Sequence, residues 1–393
     1  MIFLRVLLLA MLLTVVAGCS TVKGWFGGGK GQENVHPPAA LTKYTPGVNV
    51  QKLWSRSIGH GEKLLGLRQK PFVADGRVYA ASSYGGQVYA IDAATGRDIW
   101  RTDTKLRLTG GPGAGAGTVV VGSINGDVIA LAADSGAERW RARVSSEILS
   151  TPLVAGDVVV VRSGDGHVVG LNLADGKQRW TFERPLPSLS LRGSPSPVLG
   201  ASGIVYLGYE DGALIALRAQ DGSKAWEQAV SQPEGRSEIE RLADIDGDVI
   251  ADSDAVYAIS YKGQLLAMSP SSGAPGWNHE VGSYGGLAQS GNKLYTSDAA
   301  GTVWAFDRGT GNPLWKQEGL GYRWLSSPAA QGDYVVVGDL QGYLHWLRAD
   351  TGELAARVRI GKGPIRATPQ VSADGVLYAV NTDDQLAAYR IGK

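Results

Sequence analysis

A glycine, a second glycine ten residues on, and a tryptophan four residues after that recur along this chain. The series runs Gly86, Gly96, Trp100; Gly126, Gly136, Trp140; Gly166, Gly176, Trp180; Gly212, Gly222, Trp226; Gly263, Gly273, Trp277; and Gly301, Gly311, Trp315. A seventh copy has Gly342 and Gly352 but Ala356 where tryptophan is expected. Spacing held this strictly means one supersecondary unit used repeatedly. Each unit is too small to bury its own apolar face and must stack on its neighbours.

Each copy carries the same local instructions. A β-branched segment, such as Val119-Val120-Val121 or Tyr334 to Val337, precedes the first glycine. Asn125-Gly126, Asp165-Gly166 and Asp211-Gly212 then supply the positive φ that tight hairpins require. An alternating strand follows and turns at Thr95-Gly96, Asp175-Gly176 or Thr310-Gly311 into the strand that ends the unit with tryptophan. Pro71, Pro152, Pro197, Pro328 and Pro369 mark the start of another short strand upstream, a position where a missing ladder donor is harmless. Four short antiparallel strands per unit of roughly 40 residues predict an all-β fold, a β-propeller of four-stranded blades.

The ends predict eight blades. After Ala356 the sequence makes strands at 365–371, 376–380 and 386–389 and lacks a fourth. Residues 48–54 offer a spare strand ending in an orphan repeat-type residue, Trp54. Adding this N-terminal strand to the last three closes the ring and leaves no open edge. The repeat closely resembles the pyrroloquinoline-quinone-type propeller repeat, in which the tryptophan docks between neighbouring blades. Seven of the eleven tryptophans (Trp54, Trp100, Trp140, Trp180, Trp226, Trp277 and Trp315) take that slot and are expected to be core.

The N-terminus predicts export. Arg5 precedes an uncharged run from Val6 to Val16, then Ala17-Gly18 and Cys19. This is the layout of a secretory signal, and its apolar run is short for a membrane-spanning helix. Val16-Ala17-Gly18-Cys19 resembles the bacterial lipobox, which implies a signal peptide over 1–18, lipidation at Cys19 and, with Ser20 following, placement at the outer membrane. Residues 19–45 read as a flexible tether through Gly27-Gly28-Gly29 and His36-Pro37-Pro38, and the propeller is expected over 46–393. Cys19 is the sole cysteine, so an intramolecular disulfide is excluded. With 38 basic and 37 acidic residues, no basic field exists to attract nucleic acid.

Motifs for chemistry are weak. Gly24 to Gly31 nearly spells a phosphate-binding loop, but Gly31 replaces the required hydroxyl residue and no strand precedes it. Asp244-Ile245-Asp246-Gly247-Asp248 looks superficially like a calcium loop, yet its glycine comes too early and no glutamate closes it. The histidines at 36, 60, 167, 279 and 345 show no metal spacing. The repeat raises a quinone-dependent dehydrogenase as an alternative. Many alcohol-oxidising members carry an adjacent cysteine pair that this chain lacks. No cofactor, metal or catalytic residue is expected.

The insertions point to binding. Successive repeat tryptophans lie 46, 40, 40, 46, 51 and 38 residues apart. The excess falls in two connectors between blades, 183–196 and 231–248, and a third long connector covers 59–70. All three are expected on the face that carries the middle hairpin turns, the neighbouring two forming one raised surface. They contain Pro187-Ser188-Leu189-Ser190-Leu191-Arg192-Gly193 and the run from Glu238 to Asp246. With these segments, the lipobox, the eight repeats and the strand from Gly342 to Leu347, the chain closely resembles the BamB family, lipoprotein subunits of the outer-membrane β-barrel assembly machine. That resemblance implies a scaffold at the periplasmic side of the outer membrane, anchored by lipid, which assists the folding and insertion of outer-membrane proteins. It implies binding to the periplasmic repeats of BamA and contact with other machine subunits and with unfolded outer-membrane proteins. Leu189, Leu191, Arg192, Asp244 and Asp246 match the family's BamA-contact motifs. The leucines would form a desolvated centre, and Arg192 and the aspartates would orient the partner.

Overall fold

The computed structural model describes residues 36–61, 67–191, 193 and 195–392. They form eight four-stranded antiparallel sheets arranged as the blades of a propeller. Blade one contains Phe72–Ala74, Arg77–Ala81, Gln87–Asp92 and Asp98–Asp103, ordered from the central channel outward. Innermost strands of successive blades touch one another around the ring, and those of blades eight and one complete it. Pro71, Pro152, Pro197, Pro328 and Pro369 each stand immediately before an innermost strand.

Blade eight is closed by both ends of the described chain. Val50–Ser57 pairs antiparallel with Gln385–Ile391, from Val50 opposite Ile391 to Ser57 opposite Gln385. The closing strand thus starts two residues later and runs three residues further than expected. The inner strand of this blade is also shorter, Gln370–Val371. Ile365 is instead a fully buried connector residue packed under Gly338.

The two repeat glycines and the tryptophan have separate jobs. In each of six blades the tryptophan lies opposite a small residue of the preceding strand, as with Trp100 and Ala90, Trp140 and Ala130, or Trp180 and Gly170. A bulge follows that pair in each case, and the local bend suits turning the indole toward the next blade. There the ring covers the second glycine of the following repeat. A Cβ on Gly136 would lie 2.6 Å from the Trp100 ring, and one on Gly96 would lie 2.6 Å from Trp54. The indole N–H of Trp100 donates to Ala133 O at 2.9 Å, and that of Trp54 to Ala93 O at 2.9 Å. Only glycine, at φ near +72°, fits both the turn and the overlying ring.

The propeller unit includes the chain from Pro38 onward, so its boundary falls before the expected residue 46. Ala39 N–H donates to Gly321 O at 2.8 Å, and the buried Arg323 guanidinium donates to Ala39 O at 2.8 Å. Arg357 donates to Thr42 O at 3.2 Å, and its guanidinium lies over the Tyr44 ring. Arg323 is held in turn by Asp339, which also bonds His345 Nε2 at 2.9 Å. Part of the expected tether is therefore a docked strap. Cys19, the signal segment and the glycine-rich run lie outside the described residues.

Candidate partner-binding face

Alternation of four strands brings each connector between blades back to the face that carries the turn between second and third strands. The first repeat glycine marks this contact. A Cβ on Gly126 would meet Val144 O and Ser146 O, one on Gly166 would meet Arg184 O and Leu186, and one on Gly212 would meet Ser231 O and Ala243. The connectors 183–196 and 231–248 consequently share one face at the junctions of blades three, four and five. Among the described residues, three hydrogen bonds join them. Ser188 Oγ donates to Glu238 Oε2 at 2.9 Å, Leu191 N–H to Asp244 Oδ1 at 2.7 Å, and Ser196 N–H to Asp248 Oδ1 at 2.7 Å. Arg184 anchors the base of the first connector through Asp211 and, at 2.9 Å, Glu227.

A capping box shapes the tip of the second connector. Ser237 Oγ accepts the Glu240 N–H at 3.2 Å, and Glu240 Oε2 accepts the Ser237 N–H at 3.1 Å. Ile239 is left exposed, while Leu242, Ala243 and Ile245 enter the core. Most aliphatics of this segment therefore hold the propeller together and do not face a partner.

The five expected contact residues do not share one environment. Leu189 and Leu191 are exposed, at 40% and 37%. Asp244 is fully buried, and Asp246 is 5% exposed. The aspartates are thus not outward-facing groups on the raised surface. Asp244 pins the backbone of the neighbouring leucine loop at Leu191. Burial pushes its carboxyl above the usual range despite the Leu191 hydrogen bond. Burial, then the neighbouring Asp244 charge, pushes Asp246 up to about 7. Arg192 lies outside the described residues.

The third connector reaches across the channel. Lys70, at the junction of blades eight and one, pairs with Asp248, at the junction of blades four and five on the opposite side of the ring. Arg68 donates to Tyr284 O at 2.7 Å, and its guanidinium lies 5.6 Å from the Tyr284 ring centroid. Burial alone would raise the Asp248 carboxyl, but Lys70 and the Ser196 N–H hold it below its ordinary value. This arm borders a cavity of about 520 Å³ at the channel mouth, whose walls include Leu191 and Asp246.

Sequence reasoning missed the arm contacts and Trp324. Trp324 is 63% exposed, lines the same cavity and has φ of +50°. Tyr322 is also exposed at positive φ, while Arg323 between them is buried. Anchoring of the central arginine splays the two aromatics outward and sustains this costly backbone. Their signal was legible as aromatics in a connector, outside the repeat slot. Deeper in the same face, Arg162 and Glu210 form a buried ion pair in which Arg162 Nη2 donates to both carboxylate oxygens at 2.7 Å.

Comparison with known proteins agrees with this architecture. A family model described as outer membrane protein assembly factor BamB matches residues 84–317 and 310–393. The BamB of Xanthomonas campestris pv. campestris is 45% identical over 99% of this chain and 98% of its own length. That of Escherichia coli strain K12 is 36% identical over 95% and 96%. The crystal structure of BamB from Moraxella catarrhalis superposes with a TM-score of 0.80 at 29% identity, covering 87% of this chain and all of that one. A quinohemoprotein alcohol dehydrogenase from Comamonas testosteroni shares the fold, with a TM-score of 0.70 at 15% identity over 88% of this chain and 77% of that one. Near-full-length identity, the matching family model and the common eight-bladed ring place this chain in the outer membrane protein assembly factor BamB family.

Proposed function

We propose that this chain is a non-enzymatic scaffold of outer-membrane protein assembly, held at the periplasmic face of the outer membrane by lipid on Cys19. It binds the periplasmic repeats of BamA through Leu189, Leu191 and Arg192, and assists the folding and insertion of outer-membrane proteins alongside the other machine subunits. The observation that carries this reading is the pair of exposed leucines on a connector whose backbone is fixed by a buried aspartate. An apolar group presented on a rigid loop loses little conformational freedom on binding, which favours affinity. The likeness to quinohemoprotein dehydrogenases is one of scaffold alone.

Leu189→Ala, Leu191→Ala and Arg192→Ala, measured against the BamA repeats by calorimetry, test it. Each should weaken binding by about 2 kcal/mol, as at an interface hot spot, and leave the melting temperature nearly unchanged. Lost stability with retained affinity would move the partner surface elsewhere.

A further inference from the structure

We infer that the strap at 38–44 is a positioning element of the partner face: through Arg323 it holds Trp324 out at the channel mouth, where the indole is a second apolar anchor for the protein that binds the leucine loop. This rests on the reading that a protein partner binds the connector face, and adds a contact at the junction of blades six and seven to those at the junctions of blades three, four and five.

Trp324 occupies a position that other connectors use for core packing. Ile148 and Ile365 each stand four residues before the proline of the next inner strand and are fully buried. They fill the space above a glycine, since a Cβ on Gly122 would fall 2.4 Å from Ile148 and one on Gly338 would fall 2.3 Å from Ile365. Trp324 stands four residues before Pro328 yet is 63% exposed. Blade six ends its second strand with Ser297 where blades two and seven place those glycines. The buried Ser297 hydroxyl donates to Ser326 O at 3.0 Å and takes the space beneath the connector. Leu325 enters the core instead, and the indole turns outward.

The outward turn is costly and is held from behind. Among the described residues, Tyr322 and Trp324 are the only aromatics at positive φ, +55° and +50°. Arg323 between them is buried, and each of its guanidinium nitrogens has an acceptor. Nε donates to Asp339, Nη2 to Gln341 Oε1, and Nη1 to Ala39 O of the strap. Ala39 N–H in turn donates to Gly321 O at 2.8 Å, so the strap grips the connector at two points. Arg357 fastens the strap further along through Thr42 O and the Tyr44 ring. Trp324 lines the 520 Å³ cavity together with Leu149 and Leu191. An apolar side chain entering that cavity meets walls supplied by both the leucine loop and the indole. That continuity assigns the occupant to the same protein partner, and a concave wall suits a protruding side chain better than the flat surface of a bilayer. A tryptophan fixed in place before binding is well suited to carry interface energy.

Calorimetry of the full chain against the BamA periplasmic repeats tests this. Trp324→Gly should weaken binding at least about tenfold, yet melt no lower than the wild type, because glycine relieves the left-handed backbone. Trp324→Phe should keep most of the affinity. Replacing 38–44 by a Gly-Ser segment of equal length should also weaken binding, and Trp324→Gly should add little in that background. Arg357→Ala takes the place of the strap replacement if the latter does not fold. A Trp324→Gly chain with wild-type affinity overturns the anchor. The same chain, if it instead loses sedimentation with phosphatidylethanolamine–phosphatidylglycerol vesicles, assigns the indole to lipid and also overturns it. A strap variant with wild-type affinity, or with the full additional loss on Trp324→Gly, overturns the positioning role. Weakened Leu189→Ala beside an unchanged Trp324→Gly leaves the partner surface standing without this inference. Absence of wild-type binding overturns both.

Discussion

Trp346 and Ala356 face each other in blade seven with tryptophan on the third strand and the small residue on the fourth, the reverse of the arrangement in blades one to six. The exchange follows from ring closure. A fourth-strand tryptophan docks on the glycine that turns the next blade from its third strand to its fourth. In blade eight those strands are Gln385–Ile391 and Val50–Ser57, from opposite ends of the chain, so no turn joins them. Trp346 fills the junction from within. Its indole donates to Gln331 Oε1 at 2.7 Å, and its ring meets Tyr389 edge-on at 5.9 Å. The missing repeat tryptophan consequently does not leave this junction weak.

Trp346 is fully buried, so Trp346→Ala should lower stability by about 3 to 5 kcal/mol. Denaturant unfolding measures this. A loss below about 1 kcal/mol would mean that the junction does not depend on the exchanged indole.

Closure by the N-terminal strand gives a second expectation. Trp54 packs against Tyr378 at 5.9 Å and covers Gly96, while Arg56 bonds Asp98 at 2.6 Å. Gly96→Ala should cost about 1 to 3 kcal/mol, since the new methyl group meets the Trp54 ring and the backbone needs positive φ. Removing residues 46–54 should abolish the cooperative melt of the ring. A deletion variant that melts like the full chain would contradict the closure.

Asp246 should make stability depend on pH. Its folded value, about 7, lies above its ordinary 3.8, so the folded state holds the proton more tightly than the unfolded chain does. Stability from this group is greatest below about 4 and is lost as pH rises to 7. Asp246→Asn removes that dependence and should melt at or above the wild-type temperature at pH 8. Melting curves between pH 5 and pH 8 check it. A wild-type profile equal to that of the variant would show that the carboxylate is compensated in the free protein.

The sequence by itself determined the blade, the blade count and the face. Glycine spacing dictates where the chain can turn, the tryptophan slot dictates how neighbouring units dock, and the orphan Trp54 dictates closure. Connector lengths placed 183–196 and 231–248 together because alternation of four strands leaves no other side for them. Periodicity also exposed Leu189 and Leu191 as apolar residues in a polar loop. It could not separate Asp244 and Asp246 from the surface, since an aspartate in a connector reads the same whether it faces water or caps a buried amide. That distinction depends on Leu191 N–H arriving at Asp244 from 53 positions away. The pairing of Lys70 with Asp248 across the channel has the same origin. Tertiary structure alone decided these roles, because desolvation and charge pairing are set by which chain segments the closed ring brings into contact.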